Sequence, residues 1–345
     1  MNESRVNVIQ GHALKVLASL PEESVQCCVT SPPYYGLRAY GTEPQVWDGE
    51  ADCAHSWDGS GCCSQCGAWL GELGLEPRLE MYVEHLVAVF RQVWRVLRPD
   101  GVLFLNLGDS YAGSRNGSND HRPEGASISK NDAKYQGQKP SLGRVSGLSG
   151  LKPKDLIGIP WRVAFALQAD GWWLRSDIVW HKTNPLPESV LDRPTRSHEY
   201  VFMLTKAARY YWDKEAVLEP ANVSKQRVHP VNATMAVGNT SAGDRRVNYE
   251  KNRHIVPSRN IRDVWTLPTQ AYKAAHFAVM PEGLVEPCIK AASKPGDVVL
   301  DPFAGAGTVG LVALKLQRRF LGIELNPEYV QLIYQRLSGV QALLG

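Results

Sequence analysis

The chain has 345 residues, with 43% apolar and 21% charged residues and a formal net charge of +3. That is enough for a sizeable core in one large domain, or one domain with insertions, and the small charge means that any basic surface must be local. No apolar run is long enough to span a bilayer, Met-Asn-Glu-Ser-Arg leads into no signal-peptide core, and seven cysteines in so long a chain make no disulfide framework, so a cytoplasmic protein is expected.

Val6-Asn7-Val8-Ile9 predicts a short strand, and Ala13 to Leu20 a short helix closed by Pro21. Val25-Gln26-Cys27-Cys28-Val29 predicts a buried strand that runs straight into Thr30-Ser31-Pro32-Pro33-Tyr34-Tyr35. The two prolines stop the strand and hold the next residues extended and rigid. A hydroxyl, two carbonyls and two aromatic rings are thereby fixed at a strand's end, which suits gripping a flat molecule that bears an amino group. A proline-terminated strand with core tyrosines is the simpler alternative.

Residues 36–74 are irregular and rich in Gly, Asp, Trp and Cys, as an insertion would be. Leu79, Val83, Leu86, Phe90, Val93 and Leu97 recur at helical spacing over Leu79 to Arg98, and Pro99-Asp100-Gly101 ends that helix before a buried strand, Val102 to Leu107. Residues 113–150 are dominated by Ser, Asn, Gly, Lys and Asp, the composition of a flexible loop. A helix is expected from Pro160 to Ala169, then strands at Asp177 to Lys182, Tyr200 to Thr205 and Tyr210-Tyr211-Trp212. His181, Lys182 and Asn184 at a strand end are candidates to face a ligand, with His198 and Glu199 bracing them. Residues 221–262 carry Lys225, Arg227, Arg245, Arg246, Lys251, Arg253, Arg259 and Arg262 against Asp244 and Glu250. Such a run is either a solvated face or a surface for phosphates and base edges.

Helix and strand then alternate: a helix at Pro281 to Ser293, a strand at Asp297 to Leu300, a helix at Thr308 to Leu316, a strand at Arg319 to Leu325 and a helix at Pro327 to Leu337. The pattern predicts an α/β fold with a mostly parallel sheet. Asp301-Pro302-Phe303-Ala304-Gly305-Ala306-Gly307-Thr308 joins a strand to a helix, where a glycine-rich turn lets backbone approach a ligand. Glu324 ends the next strand, placed for the two hydroxyls of a ribose. Gly305 to Gly310 also fits the dinucleotide pattern, so an oxidoreductase using a nicotinamide cofactor is a rival reading. Against it, Asp301 favours a cationic or hydroxyl-bearing ligand over a pyrophosphate, no second mononucleotide half follows, and Ser31 to Tyr34 gain no task. S-adenosylmethionine, with a ribose, an adenine and a cationic tail, fits better.

Thr30-Ser31-Pro32-Pro33-Tyr34 resembles the catalytic motif of DNA amino-methyltransferases, and Asp301 to Thr308 their S-adenosylmethionine loop. The motif order is that of the β class, a circularly permuted Rossmann-like methyltransferase. Ala275-His276-Phe277-Ala278-Val279-Met280-Pro281 resembles the segment that lines the methionine pocket, and Asp177 to Pro185 and Arg196 to Tyr200 extend the resemblance. The resemblance implies a catalytic core of residues 1–35, 75–112, 151–220 and 263–345, with target recognition in 221–262. It implies Ser31, Pro32, Pro33 and Tyr34 as catalytic residues, and Asp301, Phe303, Ala304, Gly305, Gly307, Thr308, Glu324, Asn326, His276 and Phe277 around the cofactor. It implies Arg227, Arg245, Arg246, Lys251, Arg253 and Arg259 on double-stranded DNA, in a restriction–modification setting; a homodimer is one assembly it allows. Ser31 Oγ and the Pro32 carbonyl would accept the N–H bonds of a flipped base's amine while Tyr34 stacks on the base. Within the family Ser at this position goes mostly with N4 of cytosine, and Asp or Asn mostly with N6 of adenine. Where an acid that helps hold the adenosine is expected near Gly11, this chain has His12.

Cys53, His55, Cys63 and Cys66 offer two close pairs, the spacing of a structural Zn²⁺ site, with Cys62 as a spare. Unliganded reduced cysteines are the alternative. Trp47, Trp57 and Trp69 around them are expected to pack. Outside enzymology, a zinc-containing DNA-binding protein with a vestigial methyltransferase fold shares the cysteines and the basic segment but predicts no cofactor binding.

Overall fold

The computed structural model describes residues 5–37, 39–112, 150–221, 258–271 and 278–344. The described chain runs β1 (Val6–Gln10), α1 (Ala13–Ser19), β2 (Val25–Thr30), β3 (Gln45–Trp47), β4 (Trp69–Gly71), α2 (Leu79–Val96), β5 (Leu97–Leu107), α3 (Ile159–Ala169), β6 (Trp173–Lys182), β7 (His198–Thr205), β8 (Glu219–Pro220), β9 (Ser258–Arg259), β10 (Val264–Leu267), β11 (Gln270–Ala271), β12 (Ala278–Val279), α4 (Glu282–Ala292), β13 (Val298–Asp301), α5 (Thr308–Lys315), β14 (Arg319–Glu324) and α6 (Pro327–Leu344).

Eight strands form one sheet in the order β1-β14-β13-β2-β5-β7-β6-β10. Every neighbouring pair is parallel except the two that involve β7, which runs against both β5 and β6. The expected α/β class with a mostly parallel sheet is what forms. Helices cover both faces, so central strands read as unbroken apolar runs. Side chains alternate between the two layers. Leu103, Leu105 and Leu107 of β5 join the core under α1, α2 and α3. Val102 and Phe104 join the core under α4, α5 and α6. Cys27 and Cys28 point to opposite layers, and burial drives both thiols well above their usual range, so they are packing residues.

Four expectations change. The β5 strand begins at Leu97, so Pro99-Asp100-Gly101 lies inside it, opposite an irregularity in β2 that tolerates the proline. Tyr210-Tyr211-Trp212 makes no strand; Tyr211 N–H bonds the Asp100 carbonyl, and Tyr210 and Trp212 pack on the core. An aromatic run favours a strand by composition, but here the rings pack on the core from a loop without a ladder. Inside the irregular 36–74 segment, β3 and β4 pair antiparallel with Trp47 opposite Trp69. The last helix continues past Leu337 to Leu344. Among the described residues, no helix is long and apolar enough to cross a membrane.

Candidate active site

The sheet order decides where the two motifs meet. Residues far apart in sequence sit side by side because β13 pairs with β2, Val299 opposite Cys27 and Leu300 opposite Cys28. Both strands are parallel, so both loops leave at their carboxyl ends, where open α/β sheets present ligand sites. Thr30 Oγ1 donates to Asp301 Oδ1 at 2.7 Å and ties the loops together. Between them lies a cavity of about 880 Å³. Ser31, Pro32, Pro33 and Tyr34 line one side; Asp301, Phe303, Ala304, Gly305, Thr308, Glu324 and Asn326 line the other.

On the glycine-loop side, Asp301 is 3% exposed, and its Oδ1 also accepts the Phe303 N–H at 3.1 Å. Burial, opposed by the Thr30 and Phe303 hydrogen bonds, pushes its carboxyl up to about 7. Glu324 spreads its carboxylate over two backbone donors, Gly305 N at 2.8 Å and Asn326 N at 2.8 Å, while burial raises its pKa. Each oxygen keeps a lone pair for a ligand. Gly307 does not line the cavity. It sits at φ +74° as the N-cap of α5, and a Cβ there would meet Ile333 of α6 at 3.0 Å. Both features call for glycine in this turn and against α6. His12 lines the cavity next to Gly11, is 7% exposed, and has both ring nitrogens without a partner among the described residues. Burial, then Lys15 and His85, bring its pKa down to about 4, so the ring is neutral near pH 7.

On the Ser31 side, the Pro33 carbonyl is already taken by Tyr82 Oη at 2.8 Å. Of the two proline carbonyls, that leaves the one of Pro32 without a hydrogen-bond donor among the described residues. Ser31 Oγ lies 3.2 Å from the Tyr34 hydroxyl, which reaches Glu199 Oε2 at 2.9 Å. Asn106 Nδ2 donates to Tyr34 Oη at 2.8 Å and to Glu199 Oε2 at 3.0 Å. Lys182 Nζ contacts Glu199 Oε1 and sits 4.6 Å from the Trp180 ring centre. The Tyr34 ring passes over Gly108, where a Cβ would be 2.7 Å from it.

Residues 25–335 match the N6_N4_Mtase family, DNA methylase. The chain belongs to that family. It is 43% identical over 332 residues to the Type II methyltransferase M.Cfr9I of Citrobacter freundii, covering 96% of this chain and 87% of that one. It is 40% identical over 330 residues to the Type II methyltransferase M.SmaI of Serratia marcescens, covering 96% and 90%. Its fold is that of the PvuII DNA methyltransferase (cytosine-N4-specific), with TM-score 0.57 and 17% identity over 98% of this chain and 91% of that one. A Thermus thermophilus protein described as a DNA modification methylase, solved with S-adenosyl-L-methionine, gives TM-score 0.54 and 22% identity over 97% and 93%. A DNA methylase is a methyl-transferring enzyme, which removes the oxidoreductase and the non-catalytic readings.

The methylase carries a second cluster in its 36–74 segment. One ligand atom from each of Cys53, His55, Cys63 and Cys66 lies within 4.8 Å of all the others. Cys53 Sγ and Cys63 Sγ are 3.9 Å apart, and Cys66 Sγ and His55 Nδ1 are 3.4 Å apart. A tetrahedral zinc with ordinary Zn–S and Zn–N bonds spaces such pairs at about 3.8 and about 3.5 Å. The donor set therefore fits a structural Zn²⁺. Cys62 is not in the cluster; it bridges to Trp69. Burial would raise the Cys63 thiol, but hydrogen bonds from the Cys66 and Gln65 backbone, His55 and the Ser56 backbone together bring it down to about 6. Trp47 and Trp69 are buried and stack on His85, which is bonded to Glu76 at 2.9 Å and Asp48 at 2.8 Å. Trp57 packs on His55.

The remaining positions divide. His276, Phe277, Arg227, Arg245, Arg246, Lys251 and Arg253 lie outside the described residues. Arg259 pairs with Glu219 at 2.9 Å, and Arg262 shares that carboxylate at 2.6 Å. Asn184 Oδ1 accepts the Thr269 N–H at 2.7 Å, and His181 Nδ1 lies 3.3 Å from Thr266 Oγ1. Lys182, His198 and Glu199 do line the cavity. Sequence reasoning missed Asn106 and Gly108. Asn106 had a signal: it is the one polar residue in the run Val102 to Leu107.

Proposed function

We propose that the protein is a Type II, site-specific methyltransferase that moves a methyl group from S-adenosylmethionine to the exocyclic amine of a base flipped out of double-stranded DNA, with N4 of cytosine as the target. The observation that carries this is the pair of loops, Ser31 to Tyr34 and Asp301 to Thr308, facing one cavity from adjoining strand ends. The Type II relatives, at 40–43% identity over nearly the whole chain, support the setting. Catalytic motif before cofactor motif is the order of the permuted class.

S-adenosylmethionine supplies a methyl group already activated on a sulfonium. The chain's task is to bind, orient and manage a proton. Ser31 Oγ and the Pro32 carbonyl accept the two amine N–H bonds, which favours a pyramidal nitrogen with its lone pair aimed at the methyl carbon. The Tyr34 ring holds the base. Asp301 would hold the cationic end of the donor, and Phe303, Ala304 and Gly305, which line the same cavity, would complete its site. Glu324 takes the ribose hydroxyls while Gly305 and Asn326 hold its carboxylate. His12, neutral, offers one donor and one acceptor to the adenine, where an acid was expected. His276 and Phe277 belong to the methionine pocket, and Arg227, Arg245, Arg246, Lys251, Arg253 and Arg259 to the DNA-reading region at 221–262. Cys53, His55, Cys63 and Cys66 hold a structural Zn²⁺ that ties together the 53–66 stretch of the insertion, beside the β3–β4 pair that Trp47 and Trp69 anchor to the core.

Cytosine rests on Ser31, a neutral hydroxyl where adenine enzymes mostly carry Asp or Asn. DNA methylated with labelled donor and digested to nucleosides tests this. Label is expected in N4-methyl-2′-deoxycytidine; label confined to N6-methyl-2′-deoxyadenosine overturns the base, and unlabelled DNA overturns the whole reading.

A further inference from the structure

The polar chain behind Ser31 has a direction. Lys182 and the Asn106 amide nitrogen can only donate, and an ionised Glu199 can only accept. Asn106 Nδ2 gives one hydrogen to Tyr34 Oη and one to Glu199 Oε2. The Tyr34 hydroxyl has one hydrogen, and the carboxylate at 2.9 Å is the acceptor for it. Burial, reinforced by the Glu199 charge, keeps the phenol well above its usual range, so that proton stays on Tyr34. The Tyr34 oxygen is then left as an acceptor, and the Ser31 hydrogen at 3.2 Å points at it. Were Tyr34 to donate to Ser31 instead, the serine hydrogen would be turned toward the cavity and would face the hydrogens of an incoming amine.

We infer that Glu199 is a positioning residue for methyl transfer: it fixes the direction of the Ser31–Tyr34–Glu199 chain so that Ser31 offers the target amine only lone pairs, and it receives the proton the amine must shed. The inference rests on Ser31 being the amine's acceptor, as proposed above. The balance is simple. The amine nitrogen bonds the methyl carbon as the carbon–sulfur bond breaks, and that electron pair stays on sulfur. The nitrogen is now cationic. One of its protons passes to Ser31 Oγ, the serine proton to Tyr34 Oη, and the tyrosine proton to Glu199 Oε2. Glu199 ends protonated beside Lys182, and it returns the proton to water through the cavity that both residues line.

Steady-state kinetics of Ser31→Ala, Tyr34→Phe, Glu199→Gln, Glu199→Asp and the Tyr34→Phe/Glu199→Gln double variant test this. Tyr34→Phe keeps the ring that holds the base and removes only the hydroxyl. Glu199→Gln is expected to lower kcat by about 100-fold, the scale of a lost proton-transfer partner, with KM for DNA and donor nearly unchanged. Glu199→Asp should recover part of the loss, and the double variant should be no slower than its slower parent. Wild-type kcat in Glu199→Gln, or losses that multiply in the double variant, would overturn the inference. An active Ser31→Ala would instead overturn the reading beneath it. Should Glu199→Gln fail to fold by circular dichroism, the same comparison stands on Glu199→Asp with Tyr34→Phe.

Discussion

Asp301→Asn separates the charge at the bottom of the cavity from the hydrogen bonds that hold it. Oδ1 of Asp301 accepts both Thr30 Oγ1 and Phe303 N, at 2.7 and 3.1 Å. An asparagine keeps those bonds through its own oxygen and puts an amide nitrogen where Oδ2 was, so the loop is expected to fold unchanged. The free carboxyl is held up to about 7 by burial. A cationic ligand reverses that preference, so binding below pH 7 must expel a proton. At pH 6, one unit under that value, affinity for S-adenosylmethionine is expected to fall about tenfold from its alkaline plateau, about 1.4 kcal/mol. Asp301→Asn should flatten this dependence and weaken binding by about 10- to 100-fold, the cost of a charged hydrogen bond. Without ligand the sign is opposite. The folded carboxyl binds its proton more tightly than the unfolded one, so its contribution to stability is full below about pH 4 and is lost as pH rises through about 7. Calorimetric titration from pH 6 to 8, in two buffers of different ionisation heat, reads affinity and proton release together. Constant affinity with no proton release refutes the reasoning.

The metal prediction is one zinc per chain in protein purified without chelator, with Cys63→Ser losing both the zinc and thermal stability; substoichiometric metal with unchanged stability removes the site. Gly108→Ala puts a methyl 2.7 Å from the Tyr34 ring, whose hydroxyl is pinned by Glu199 and Asn106. It should cost about 1–3 kcal/mol by urea unfolding and slow methyl transfer more than it weakens DNA binding. A silent Gly108→Ala means the ring is free to move.

Legibility in the sequence followed the range of the physics. The Ser31 and Asp301 loops were readable because proline stops and glycine turns are local effects. The Cys53 to Cys66 spacing was readable for the same reason. Gly307 also packs its turn on Ile333 of α6, a contact across the fold that no local pattern reveals. The β3–β4 pair escaped because strands of three residues carry no periodicity, and their order comes from Trp47 and Trp69 closing on His85. Tyr210 to Trp212 misled in the opposite sense, since an aromatic run has strand composition whether or not it joins a ladder.

The direction of β7 was the least readable feature, and the site depends on it. Ser31 follows β2, Asn106 nearly ends β5 and Lys182 ends β6, so three of the network's residues come from carboxyl ends of strands. Glu199 comes from the start of a strand. It reaches the same edge because β7 runs antiparallel between β5 and β6, pairing Val201 with Asn106 and Glu199 with Trp180. A parallel β7 of eight residues would carry Glu199 to the far edge, about 20 Å away at the usual rise per residue. The reversed strand is thus what closes the hydrogen-bond chain behind Ser31, and an apolar run such as Val201-Phe202-Met203-Leu204 reads the same in either direction.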